Sequence, residues 1–87
     1  MFPFLGRLFG NKADAAGRLP SHAQRLSGLT ARERELFELL LQGFTLRYCA
    51  EQMGIRYSTA NTHQNAVYRK LGVQSRAMLI LLYKDLV

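Results

Sequence analysis

Between Ser58 and Leu71 the sequence STANTHQNAVYRKL writes two surfaces at one helical spacing. At about 3.6 residues per turn, Ala60, His63, Val67 and Leu71 fall on one side, the stripe a helix needs to sit on a core. Ser58, Asn61, Thr62, Asn65 and Arg69 fall on the other. That second side is short, polar and rich in amides, and its charge comes only at the C-terminal end. Solvated helix faces favour Glu and Lys, whereas Asn and Thr lower helix propensity and are poor choices unless they contact something. Asn can bond adenine N6 and N7 together, and Thr can touch a thymine methyl. The pattern predicts a helix that enters a groove of duplex DNA, with Ser58, Asn61, Thr62 and Asn65 at base edges. Arg47, Arg56, Thr59, Arg69 and Lys70 are the candidate phosphate contacts.

Each of these residues also has a plainer reading. Arg69 and Lys70 lie near a helix C-terminus, where positive charge suits the macrodipole regardless of DNA, and Glu33 or Glu35 could pair with one of them. Arg47 and Arg56 could be solvated charges, and Thr59 could bond backbone early in the helix. His63, on the inward stripe, reads as a packed histidine rather than a catalytic or metal group. Tyr48 and Tyr57 could stack on sugar–phosphate backbone or pack half-buried. Cys49 is most simply a small core residue.

The elements that must position this face follow from the flanking sequence. Thr30 and Glu33 have the S/T-x-x-E form of a capping box, in which each side chain satisfies the other residue's backbone N–H. The helix they open runs through RERELFELLLQ, turns Leu36, Phe37, Leu39 and Leu40 inward, and stops at Gly43. Thr45 caps a second, shorter helix through Met53, with Cys49, Ala50 and Met53 buried and Gly54 as its stop. A short connection from Met53 to Ser58 leads into the third helix, the arrangement of a helix-turn-helix. Gly72 ends that helix, Val73 points back inward, and Ser75 caps a fourth, RAMLILLYKDLV.

From Met78 to Tyr83 every residue of the fourth helix is apolar or aromatic. So small a domain covers one side of such a helix, which predicts that its remaining surface, with Leu79, Leu82, Tyr83 and Leu86, meets a partner. The expected architecture is all-α: a four-helix domain over 28–87, preceded by an extension and linker over 1–27. Within that extension Phe2, Leu5, Leu8 and Phe9 recur at three- and four-residue intervals. MFPFLGRLFG therefore suggests a short amphipathic helix, as a loose leader, a dimer contact or a membrane-surface anchor.

Composition agrees with one small basic domain. The 87 residues carry 12 Lys and Arg against 6 Asp and Glu, and the sequence pI of about 10.1 exceeds the value near 9 at which nucleic acid becomes a reasonable partner. A single cysteine, Cys49, excludes an internal disulfide and a Cys-rich zinc site, as expected in a reducing cytoplasm. His22 and His63 have no further ligands near them, so neither a metal nor a cofactor is expected. No Ser–His–Asp set, phosphate-cradling glycine loop or convergent carboxylate pair suggests an enzyme. No apolar run reaches the roughly 18 residues of a membrane span, and the N-terminus lacks the order of a signal peptide.

The segments Leu29-Thr30-x-Arg32-Glu33-Arg34-Glu35, Leu39-Leu40-x-x-Gly43, Ala50-Glu51, Gly54-Ile55, Thr59, His63 and Tyr68-Arg69-Lys70-Leu71-Gly72-Val73-x-Ser75-Arg76-Ala77 together resemble the LuxR/GerE-type DNA-binding domain of bacterial transcription regulators. The resemblance runs from Leu29 to about Tyr83, roughly two thirds of the chain. It implies a four-helix module whose third helix lies in the major groove and whose fourth mediates dimerisation on a nearly two-fold symmetric site. This sequence departs from the family at the groove. Arg56 stands where members often carry a capping Ser, Asn61 where Lys is common, and Ala60 where Val is usual. Asn65 occupies a position often basic or polar, and Leu46, Arg47, Tyr48 and Cys49 replace the familiar Asn, Lys, Glu and Ile. Two functions fit: a homodimeric transcription regulator with altered specificity, or the same fold used as an interaction module on another regulator, RNA polymerase or a membrane surface.

Overall fold

The computed structural model describes residues 20–86, and within them the chain is all-α. Five helices follow in order: α1 His22–Leu26, α2 Ala31–Leu41, α3 Leu46–Met53, α4 Tyr57–Leu71 and α5 Arg76–Tyr83, with a 3-10 turn over Lys84–Leu86. Helices α2 to α5 are the four expected from the sequence. Helix α1 is a correction, because it occupies the end of the segment read as linker. Ser21 and Gln24 form its capping box, and Leu26 enters the core. The amphipathic segment of Phe2, Leu5, Leu8 and Phe9 lies outside the described residues.

The helix ends obey local rules. Thr30 and Glu33 make the expected reciprocal cap on α2, and Thr45 and Ser75 accept backbone N–H bonds at the starts of α3 and α5. Gly54 closes α3 at φ 67°, a left-handed conformation that glycine adopts without a Cβ penalty. The Ile55 N–H then returns to the Ala50 carbonyl at 3.0 Å, which turns the chain sharply into α4.

Two apolar groups make the core. Leu26, Phe37, Val67, Leu71, Val73, Leu79 and Tyr83 form one, and Leu36, Leu40, Cys49 and Met53 the other. Half-buried Tyr68 on α4 packs against both. Tyr83 fills the end of the first group, its ring edge-on to Phe37 and tilted on His22. Its hydroxyl donates to the Leu71 carbonyl at 2.7 Å, so α5 satisfies an acceptor at the end of α4. Burial raises the phenol pKa above its ordinary value, which keeps that donor protonated.

Polar ties fix the helices around the turn. Arg32 at the start of α2 donates to the Met53 carbonyl at 2.8 Å, and Arg76 on α5 donates to the Phe44 carbonyl ahead of α3. Glu33 is buried, and one carboxylate oxygen accepts from both the Thr30 N–H at 3.0 Å and the Lys70 ammonium at 2.8 Å. The Lys70 bond, followed by the Thr30 N–H, holds the Glu33 carboxyl below its ordinary pKa of 4.5. A depressed folded-state value means that this pair stabilises fully above the unfolded carboxylate range and loses that contribution as pH falls through it.

Two stability predictions follow from these contacts. Tyr83→Phe keeps the ring and removes the buried donor, so urea titration should give a loss of about 1–2 kcal/mol with an unchanged denaturant slope. Glu33→Gln keeps a capping side chain but loses the ion pair. It should cost about 1–2 kcal/mol at neutral pH, and the gap from the parent should narrow as acid titration passes below the ordinary carboxylate range and through the depressed Glu33 pKa.

Candidate nucleic-acid interface

Helix α4 is held by its apolar stripe. Ala60, Val67 and Leu71 are buried, and His63 is half-buried beside them. The opposite side stays outside: Ser58, Asn61, Thr62, Asn65 and Arg69 are all exposed, as is Thr59. The four candidate base-contacting residues therefore share one continuous face. The Thr62 hydroxyl donates to the Ser58 carbonyl at 3.1 Å, which commits its proton and leaves its lone pairs and methyl group for a ligand.

The formal charge carried by this face is positive. Helix α4 contains no Asp or Glu. Among the described residues, Arg47, Arg56 and Arg69 are exposed and make no ion pair, whereas Glu35 and Glu38 on α2 pair with Arg32 and Arg34. Arg56 is the N-cap of α4 and its side chain makes no capping bond. The first N–H groups of the helix are thus left without a side-chain acceptor at the positive end of its macrodipole. Arg47, from α3, reaches across the turn and places its guanidinium carbon 5.4 Å from the centroid of the Tyr57 ring.

Three expected site residues are placed differently. The ammonium of Lys70, an expected phosphate contact, bonds the buried carboxylate of Glu33 on α2. Leu79 and Tyr83 are core residues at 0% exposure, so they face inward rather than toward a partner. The exposed apolar row of α5 and its terminal turn consists instead of Met78, Leu81, Leu82 and Leu86, with Leu81 at 79%. Leu82 and Leu86 were expected there, and Met78 and Leu81 were missed. Nothing in the sequence distinguished which side of a uniformly apolar helix faces in.

Tyr48 and Tyr57 are exposed rather than half-buried, at 39% and 52%. Tyr48 lies against Phe44 with ring centroids 4.6 Å apart. Cys49 is a buried core residue whose thiol pKa is raised by burial, the state of an inert thiol. No helix of the described residues is long and apolar enough to cross a membrane.

Comparison with known proteins agrees with this geometry. The family described as bacterial regulatory proteins, luxR family, matches residues 27–83. A protein of Hyphomicrobium methylovorum named as a probable transcriptional regulatory protein, SgaR, is 45% identical over 58 residues, which are 67% of this chain and 28% of SgaR. The spore germination protein GerE of Bacillus subtilis is 40% identical over 53 residues, 61% of this chain and 72% of GerE. The solved structure of the response regulator StyR superposes with a TM-score of 0.69 at 31% identity, covering 74% of this chain and 32% of StyR. The chain thus spans less than a third of SgaR and of StyR, and most of GerE. With its helix-turn-helix frame and its matched segment in register, the chain belongs to the LuxR family of bacterial regulatory proteins.

Proposed function

We propose that the unit formed by 28–87 binds duplex DNA as a homodimer and regulates transcription, with α4 lying in the major groove. The observation that carries this reading is the exposed, acid-free face of α4, bordered by three arginines that make no ion pair among the described residues. Asn61 and Asn65 each offer an amide donor and acceptor suited to adenine. Ser58 can bond a base edge, and Thr62 presents a methyl suited to thymine. Arg47, Arg56, Thr59 and Arg69 hold phosphates, helped at the start of α4 by its uncapped N–H groups. This division gives phosphate contacts the task of orientation and the amide face the task of sequence choice.

Dimerisation is assigned to Met78, Leu81, Leu82 and Leu86, the apolar row that the monomer leaves in water. Two copies reading successive major-groove faces would set their α4 helices about 34 Å apart. The same row supports a second reading, in which the fold acts on another regulator or on RNA polymerase without touching DNA. Ionic strength separates the two. Phosphate binding weakens steeply with salt, whereas apolar docking persists.

Fluorescence anisotropy on a random duplex pool across a salt series, with bound DNA recovered and sequenced, tests this function. A steep salt dependence with an enriched inverted repeat is expected, and absence of binding at low salt would defeat the reading. Asn61→Ala should cost about 1–3 kcal/mol at one base position and relax preference there. Arg47→Ala should weaken all sequences alike and reduce the salt slope by about 1. Leu81→Asp should halve the mass measured by sedimentation while changing monomer stability by no more than about 0.5 kcal/mol, since Leu81 lies outside the core.

A further inference from the structure

The contact between Arg47 and Tyr57 joins the two helices of the motif across the turn. Arg47 lies on α3, Tyr57 is the first residue of α4, and both side chains are exposed. Among the described residues no carboxylate or carbonyl holds the Arg47 guanidinium. Its one specific neighbour is the Tyr57 ring, 5.4 Å from guanidinium carbon to centroid. An arginine left in water samples many rotamers and loses that freedom when it grips an anion. Attraction to the face of an aromatic ring removes part of the freedom beforehand. A guanidinium drawn to a ring, with no hydrogen bond or ion pair among the described residues, keeps its N–H donors open, and those are the groups that fork onto a phosphate.

We infer that Tyr57 is a positioning residue for Arg47: its ring carries the guanidinium beside the start of α4 and so presets a phosphate contact. The inference rests on the DNA-binding reading and adds to it a residue that supplies no charge. It also accounts for an exposed aromatic at the first position of a helix whose other outward residues are polar. The phenol hydroxyl has no part in the interaction, so phenylalanine should serve as well and leucine should not.

NMR of the DNA-free protein tests the contact, and anisotropy on a random-sequence duplex tests its use. In the parent and in Tyr57→Phe, the Arg47 side-chain δ protons should be shifted upfield by the ring current, and in Tyr57→Leu the shift should vanish with the remaining spectrum intact. Tyr57→Phe should bind as the parent does, and Tyr57→Leu about two- to fivefold more weakly, the size of an exposed cation–π contact. In an Arg47→Ala background, Tyr57→Leu should cost nothing further. An equal loss in that background would mean that Tyr57 touches DNA itself and would overturn the inference. Undiminished binding by Tyr57→Leu would overturn it too. Failure of the parent to bind any duplex defeats the DNA reading and this inference together, whereas binding without a ring-current shift at Arg47 defeats this inference alone.

Discussion

Burial of Ala60, Val67 and Leu71 determines which side of α4 remains in water, and the other elements serve that orientation. Leu26 of α1, Phe37 of α2 and Leu79 and Tyr83 of α5 close around Val67 and Leu71, while the Tyr68 ring joins this group to the one between α2 and α3. A rotation of α4 by one residue would drive polar groups into that packing and expose the stripe, so the helix has one acceptable setting. The Tyr83 hydroxyl on the Leu71 carbonyl and the Lys70 ammonium on Glu33 fix its far end. The amide face is thereby presented on a rigid frame, which is what precise contact with base edges requires.

Electrostatic sorting reinforces the same division. Glu33, Glu35 and Glu38 lie on α2, each paired with a basic side chain, and one of those pairs absorbs Lys70 from the end of α4. The exposed pairs contribute little to stability, as pairs of this kind do. Their larger consequence is that α2 carries nearly balanced charge, while Arg47, Arg56 and Arg69 at the turn and on the outer face of α4 make no ion pair among the described residues. Buried Glu33 differs from its neighbours. It ties the cap of α2 to the last turn of α4 through a single oxygen.

Much of this was legible in the sequence because local chemistry decided it. Thr30, Thr45 and Ser75 accept where helices begin, Gly43, Gly54 and Gly72 stand at positive φ where helices end, and the α4 stripe follows from its spacing. Ser21 and Gln24 carried an equally local signal for α1, overlooked among the small residues and Pro20 around them. The misplaced residues belong to another class. Leu79 and Tyr83 could not be told from Met78 and Leu81 along an apolar helix, since only the packed neighbours choose the inner side. Glu33 and Glu35 were both open partners for Arg69 or Lys70, and only the packing of α4 on α2 selects the Lys70–Glu33 pair across 37 residues. The approach of Arg47 to the Tyr57 ring depends likewise on the angle of the turn, which no spacing rule encodes.

The central claim is that the polar face of α4 is the surface that meets DNA, and the most direct measurement of it is a residue-by-residue map of amide and side-chain NMR shifts as duplex is titrated in. The account predicts perturbations concentrated at Ser58, Asn61, Thr62, Asn65 and Arg69, together with Arg47 and Arg56 at the turn. The Lys70–Glu33 pair and the buried stripe should stay nearly unchanged. A map centred on Met78, Leu81, Leu82 and Leu86, or no perturbation at low salt, would contradict the claim and turn attention to α5 as the working surface of the fold.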